Sequence, residues 1–179
     1  MWRHQNVTAI SLLGNKLEQI PIAASYLPAL NYLHIGENNI RIHVPLSKKQ
    51  FPNLLDLYLC GNNIIQFPDE SLKHTLSHLS VSRCNLKSLP LYLSKFQSLV
   101  YFDARDNNIT YVDGNLKKLL ETNKVESYFS GNPVCRTDTS LDCEPLCSKY
   151  CWSRAALSNG RCDVNCNTKR CQFDGGDCR

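Results

Sequence analysis

From Val7 to Ile109, apolar residues return in one eleven-position pattern. The first, fourth, sixth and eleventh positions are apolar and the ninth is asparagine. The stretches VTAISLLGNKL (Val7 to Leu17), LNYLHIGENNI (Leu30 to Ile40), LLDLYLCGNNI (Leu54 to Ile64), LSHLSVSRCNL (Leu76 to Leu86) and LVYFDARDNNI (Leu99 to Ile109) are its five copies. The ninth position runs Asn15, Asn38, Asn62, Cys84, Asn107, with steps of 23, 24, 22 and 23 residues. A sixth, degenerate copy ends at SGNPVC, where Asn132 follows by 25 residues; Phe129 keeps register while Val125 and Tyr128 do not. Alternation at the fourth and sixth positions is the period of a short strand. Leu57 and Leu59, or Leu79 and Val81, then face one side while their neighbours face out. The pattern predicts one strand per repeat, stacked in parallel on the next. A buried asparagine satisfies backbone groups where the chain turns off the strand, and a thiol of similar size is tolerated there at Cys84. Pro21, Pro28, Pro45, Pro52, Pro68 and Pro90 fall between strands, so the return side is expected to be irregular or short 3₁₀ helix.

These five copies resemble the leucine-rich repeat family over about two thirds of the chain. The expected fold is an α/β-type solenoid, with a parallel strand per repeat and an irregular or 3₁₀ return side. The resemblance implies a curved solenoid whose strand face commonly binds other proteins. The outward positions that would form a protein-binding face include Tyr32, His34, Asp56, Tyr58, His78, Tyr101, Asp103 and Arg105. Tyrosine and arginine are the residue types that anchor protein contacts. Ala9, Ser11, Leu13, Gly36, Cys60, Ser80 and Ser82 share that face. His78 beside Asp56 and Tyr101 has the look of a catalytic group, but regular ladders bring unlike side chains together often, and catalysis needs them to converge in a pocket. The bland alternative for the face is a wetted surface with no partner.

Composition is that of a folded protein, with 42% hydrophobic and 20% charged residues, so a disordered chain is not expected. No apolar run approaches the roughly 18 residues a bilayer span needs. The net charge of +4 is mild and its basic residues are scattered, which argues against a nucleic-acid partner. Cysteine changes the picture. Eight of the ten lie between Cys135 and Cys178, an even, close-spaced set that reads as a disulfide framework from an oxidising compartment. The sequons at Asn6 (NVT) and Asn108 (NIT) are then glycosylation candidates, Asn108 the better placed. The opening MWRHQNVTAISLL lacks the features of a signal peptide, so the chain is expected to be cut from something larger. A rival reading is a cytosolic repeat protein with reduced cysteines, prompted by Cys60 and Cys84. The template turns Cys60 out and Cys84 in, so both are expected to be free thiols.

Cys135 and Cys143 lie where the solenoid's apolar end must be covered, and a bridge between them would staple a cap. Six further cysteines follow, at Cys147, Cys151, Cys162, Cys166, Cys171 and Cys178, in a segment almost free of aliphatic residues, which crosslinks must hold together. Sequence alone leaves 15 pairings open for six cysteines. The stretch NGRCDVNCNTKRCQFDGGDC resembles the Lin-12/Notch repeat (LNR), a small calcium-binding module with three disulfides. That resemblance implies the bridges Cys147–Cys171, Cys151–Cys166 and Cys162–Cys178, although Cys143 is an alternative first cysteine. It also implies a Ca²⁺ site from the side chains of Asn159, Asp174 and Asp177 and the backbone carbonyl of Arg161. Calcium takes 6 to 8 oxygen ligands in irregular geometry, and such groups suit it. Asp163 is a further candidate. The chain departs from the family at its front spacing and at Phe173, often tryptophan there. Three rivals remain: zinc on the thiols, an acid–base carboxylate pair, and an acidic turn without an ion. No tidy Cys₄ or Cys₂His₂ grouping occurs and no histidine follows His78, which weighs against zinc.

The expected organisation is residues 1–134 as about six repeats, 135–146 as a disulfide cap and linker, and 147–179 as the calcium-stabilised module. The expected function is protein recognition, outside the cell or as a membrane ectodomain, with an unidentified protein partner. The chain is not expected to be an enzyme, since it has no HExxH, G-x-S-x-G or phosphate-binding glycine loop. The alternative is a non-catalytic regulatory or substrate-recruiting region of a larger secreted or membrane enzyme, because modules resembling the last one accompany such enzymes.

Overall fold

The structure is a computed structural model that describes residues 6–144, 147, 148, 151, 157 and 159–178. Its strands are β1 (Ala9–Ser11), β2 (Tyr32–His34), β3 (Arg41–Ile42), β4 (Asp56–Tyr58), β5 (Asn63–Ile64), β6 (His78–Ser80), β7 (Tyr101–Asp103) and β8 (Glu126–Tyr128). Six of them form a parallel sheet in the order β1-β2-β4-β6-β7-β8. The chain divides into two compact units, Met1–Cys143 and Glu144–Arg179.

The repeat sets the register of the first unit. Leu33, Leu57, Leu79 and Phe102 are opposite one another in successive strands, all fully buried. Ile35, Leu59, Val81, Ala104 and Phe129 make a second buried row. Each of these leucine, isoleucine, valine and phenylalanine side chains contributes roughly 1.5–3 kcal/mol of transfer free energy. In the sixth repeat Ser127 stands opposite Phe102, and the core residues of that copy are Val125 and Phe129 on either side of its strand.

Asparagines stitch the repeats together. Asn107 Nδ2 donates to the carbonyls of Val81, Ala104 and Arg105, while its Oδ1 accepts from the N–H groups of Cys84 and Leu86. Asn38, Asn62 and Asn132 bond in the same manner, each reaching one repeat back. Cys84 takes that place in the fourth repeat, its Sγ lying 3.3 Å from the carbonyls of Leu59 and Ser82.

The return side is 3₁₀ helix at Ile22–Tyr26, Glu70–Leu72, Leu91–Lys95 and Pro133–Arg136. Two departures from the sequence expectation have local causes. A second small parallel sheet joins β3 to β5, because Ile42 and Ile64 both turn into the core just after their asparagines. The fifth return is an α-helix, α1 (Gly114–Thr122), with Leu116 and Leu120 buried at i, i+4. No proline occurs between Pro90 and Pro133 to forbid it, and the Asp113 side chain caps it by accepting from the Asn115 N–H.

At the far end the sheet edge does not stop at β8. Phe129 N–H donates to the Asp142 carbonyl at 2.8 Å, the same bond Ala104 makes to Tyr128 one repeat earlier. Residues around Asp142 therefore continue the ladder, and the Cys135–Cys143 bridge fixes them there. Asp138 helps hold this cap. Its bonds from Ser140 and from the Lys117 ammonium hold its carboxyl down at about 2.

The described residues of the second unit make no comparable core. Among the described residues Cys151, Cys166 and Cys171 are buried, with Cys147 and Leu157 packed against them. Its bridges are Cys147–Cys171, Cys151–Cys166 and Cys162–Cys178. Its regular pieces among the described residues are single 3₁₀ turns at Lys169–Cys171 and Asp174–Gly176.

Candidate functional site

Outward side chains on the six-stranded sheet form two registered rows. Tyr32, Asp56, His78, Tyr101 and Glu126 make one, and His34, Tyr58, Ser80, Asp103 and Tyr128 the other. The eight predicted face residues split into two groups. Tyr32, His34, Asp56, Tyr58 and His78 are half-buried and accessible, whereas Tyr101, Asp103 and Arg105 are buried at 5%, 3% and 8% exposure. That corrects the expectation that all eight are open to a partner.

The cause is Tyr128. Its ring lies 6.0 Å from that of Tyr101 and 5.7 Å from the Arg105 guanidinium. Arg105 in turn grips Asp103 with two bonds, Nε to Oδ1 at 2.8 Å and Nη2 to Oδ2 at 2.9 Å. Burial pushes the Tyr101 hydroxyl well up, with the Asp103 charge adding to it. Tyr128 fails the core template, yet strict alternation from Phe129 already places it outward beside Asp103. That was the signal in the sequence that it belonged to the face.

In the open part, three rings cluster: Tyr32 to Tyr58 at 5.5 Å, His34 to Tyr58 at 5.1 Å, and Tyr32 to His34 at 6.3 Å. Burial, and then Asp56, raises the Tyr58 hydroxyl to about 12 and moves Tyr32 the same way. Burial lowers His34. Asp56 Oδ1 is 2.6 Å from His78 Nδ1 and accepts from Ser77 Oγ at 3.3 Å. This is not a catalytic triad, because Ser77 Oγ also addresses His78 Nδ1, at 3.0 Å. A nucleophile and its orienting carboxylate must sit on opposite ring nitrogens.

Cys60 lies over Gly36, where an added Cβ would stand 2.5 Å from its sulfur, so any side chain at 36 would have to displace the Cys60 thiol. Burial raises its thiol and pushes that of Cys84 up to about 12. Both are free, Cys60 half-buried and Cys84 buried. Native chain treated with a maleimide is expected to take up one label slowly, at Cys60, and a second only after denaturation. Intact mass checks this; ten labels on native protein would overturn the disulfide assignment.

In the second unit the predicted ligand residues fall on two facing segments. The Gly160 N–H donates to Asp177 Oδ2 at 2.8 Å and the Asp163 N–H to Asp174 Oδ2 at 2.6 Å. Asn159 Oδ1 accepts from the Arg161 N–H, and its Nδ2 donates to Asp163 Oδ2. Asp174 is fully buried, and its Oδ1 has no hydrogen-bond partner among the described residues. A buried carboxylate oxygen without a donor is costly unless a cation meets it. From Gln172 to Gly176 five consecutive residues have positive φ, an arrangement held between Cys171 and Cys178. Strain of this kind persists where surroundings over-determine it, as at ligand clamps. The sulfurs of Cys147, Cys151 and Cys171 gather within 4.8 Å, but all three are in disulfides and offer no thiolate to zinc. Asn6 is exposed; so is Asn108, whose Nδ2 donates to Asn85 Oδ1 at 2.9 Å.

Fold and bridges define a parallel repeat solenoid followed by a disulfide-held module. A family model described as Notch, LNR domain, matches residues 141–179. Human lumican is 33% identical over 133 residues, 69% of this chain and 38% of lumican. An uncharacterised leucine-rich-repeat protein of Schizosaccharomyces pombe is 32% identical over 76% of this chain and 18% of its own length. Receptor-like protein 35 of Arabidopsis thaliana is 28% identical over 65% and 13%. An LRR protein of Leptospira interrogans shares the fold at TM-score 0.58 and 24% identity, over 72% of this chain and 32% of that one. The functional domain of InlJ from Listeria monocytogenes does so at TM-score 0.52 and 21% identity, over 79% and 27%. The chain is a leucine-rich-repeat protein with a C-terminal LNR module. It spans well under half of the curated relatives it matches. Among the described residues no helix is long and apolar enough to cross a membrane.

Proposed function

We propose that this chain is a protein-recognition region of an extracellular or membrane-ectodomain protein, non-catalytic, with the sheet face as its binding surface. The reading assigns residues 1–134 to the repeats, 135–146 to cap and linker, and 147–179 to the module. One observation carries it: half-exposed tyrosine, histidine and aspartate side chains lie in register across β2, β4 and β6. Such rigid, amphipathic groups on a fixed sheet bind without much ordering cost. Four disulfides support an oxidising compartment. Labelled tetramers of the chain are expected to bind cells that display the partner, and Tyr32→Ala with Tyr58→Ala to weaken that binding at least about tenfold. Equal binding by a folded double variant would remove the face from the function.

The second part of the proposal is that calcium stabilises the module. The oxygens of Asn159, Asp174 and Asp177 and the backbone carbonyl of Arg161 would hold it, with Asp163 beside them. The orphaned Asp174 oxygen and the oxygen-only donor set fit a hard cation. Bound there, calcium supplies positive charge to the clustered carboxylates. Calorimetric titration is expected to show one site, weakened about a hundredfold or more in Asp174→Ala plus Asp177→Ala. Unchanged affinity in that variant would exclude these residues as ligands.

A further inference from the structure

Two carboxylates at the sheet face are paired with arginines. Asp103 is gripped by Arg105, Glu37 pairs with Arg83, and Glu126 accepts the Tyr128 hydroxyl. Asp56 differs, because its ion-pair partner among the described residues is His78, which is charged only when protonated. Both described hydrogen bonds to this carboxylate fall on Oδ1, Oδ2 carries none among the described residues, and the side chain is 28% exposed. Asp56 stands in register between Tyr32 and His78, two residues before Tyr58 on the same side of β4. The rings of Tyr32, Tyr58 and His34 therefore flank an under-compensated negative charge, in a chain whose net charge is +4.

We infer that Asp56, together with the rings of Tyr32, Tyr58 and His34, receives an arginine or lysine side chain from a basic segment of the protein partner. The inference rests on the recognition reading above and names the chemistry of its site. A guanidinium or ammonium satisfies the carboxylate with a charge-assisted bond while its flat or methylene surface lies on the aromatic faces. An acidic or phosphorylated segment is disfavoured for the complementary reason. The arginines of the face, Arg83 and Arg105, are both committed to carboxylates of their own. An ion pair in a half-buried aromatic setting also fixes the register of a bound segment more than it raises affinity.

The probe is a library of displayed twelve-residue peptides selected on the native chain, followed by affinity measurement of the enriched peptides. Asp56→Asn keeps the shape of the side chain and an acceptor for His78, so folding is preserved, and a thermal melt verifies it. The expected result is enrichment of arginine or lysine at one fixed peptide position, with binding lost about tenfold in Asp56→Asn and in Tyr58→Ala. Peptides that lose binding in Tyr58→Ala but carry no basic residue, or ignore Asp56→Asn, overturn this inference and leave the face as a recognition surface. Binding of neutral oligosaccharides at the same residues overturns it as well. Peptides indifferent to both variants remove the recognition reading itself.

Discussion

Excess reductant is expected to erase hydrogen-exchange protection across residues 159–178 while strands β2, β4, β6 and β7 keep theirs. The first unit holds a continuous core, from Ala24 through Val134, in which Leu33, Leu57, Leu79 and Phe102 have no exposed surface. A single bridge, Cys135–Cys143, closes eight residues at its end, so its loss frees the cap and little else. The second unit's buried cluster is itself three cysteines, beside Cys147 and Leu157. Its bridges span 24, 15 and 16 residues, and loops of that size each restrict the unfolded chain by about 3 kcal/mol. Among the described residues, nothing apolar beyond Leu157 replaces that restriction once the sulfurs part. Added calcium is expected to slow the loss, since an ion that binds the folded form alone stabilises it by mass action. Exchange followed by mass spectrometry separates the outcomes. Loss of protection in both units together would mean that the repeats also depend on the bridges.

How much of this was legible beforehand depends on the kind of constraint. The strand period is local, so the eleven-position pattern placed Leu57, Leu79 and Phe102 inward and Tyr32, Asp56 and His78 outward, each in register with its neighbour. Burial on the outward face is not local. Whether Asp103 and Arg105 meet solvent depends on Tyr128, which lies 25 residues further on from Asp103 and is brought opposite it only by the register of β8. The α1 helix shows the same division from the other side. Prolines mark where helix cannot form, but their absence between Pro90 and Pro133 had to be weighed with the Asp113 cap and the Leu116 and Leu120 spacing to predict one. In the acidic loop the carboxylates were visible as residue types. That Asp174 would be wholly buried with an unpartnered oxygen was not, because it depends on backbone with positive φ from Gln172 to Gly176.

The single substitution expected to cost most is Asn107→Ala. Truncation strands the Val81 carbonyl and two N–H groups, of Cys84 and Leu86, in a site where Asn107 is 4% exposed, while the Ala104 and Arg105 carbonyls keep bonds from Asn132 Nδ2 and the Arg83 N–H. Each buried group left without a partner costs about 1–3 kcal/mol, but neighbouring groups relax together, so a total of about 4 kcal/mol is the expectation. For a chain of this size that lowers the melting temperature by roughly 8–16 °C. The loss should also spread, because solenoid stability is a sum over neighbouring interfaces and Asn107 joins the fourth repeat to the fifth. Cys84 provides the internal standard. A thiol there donates toward Leu59 and Ser82 but is a weak acceptor, so Asn107→Cys should keep part of the donor function, lose the acceptor function, and fall between wild type and alanine. The exposed neighbour Asn108→Ala, which loses a surface bond to Asn85, should shift the melt by little. If alanine at 107 melts no lower than alanine at 108, the asparagine ladder is not what joins the repeats, and the stacked leucines alone hold the sheet in register.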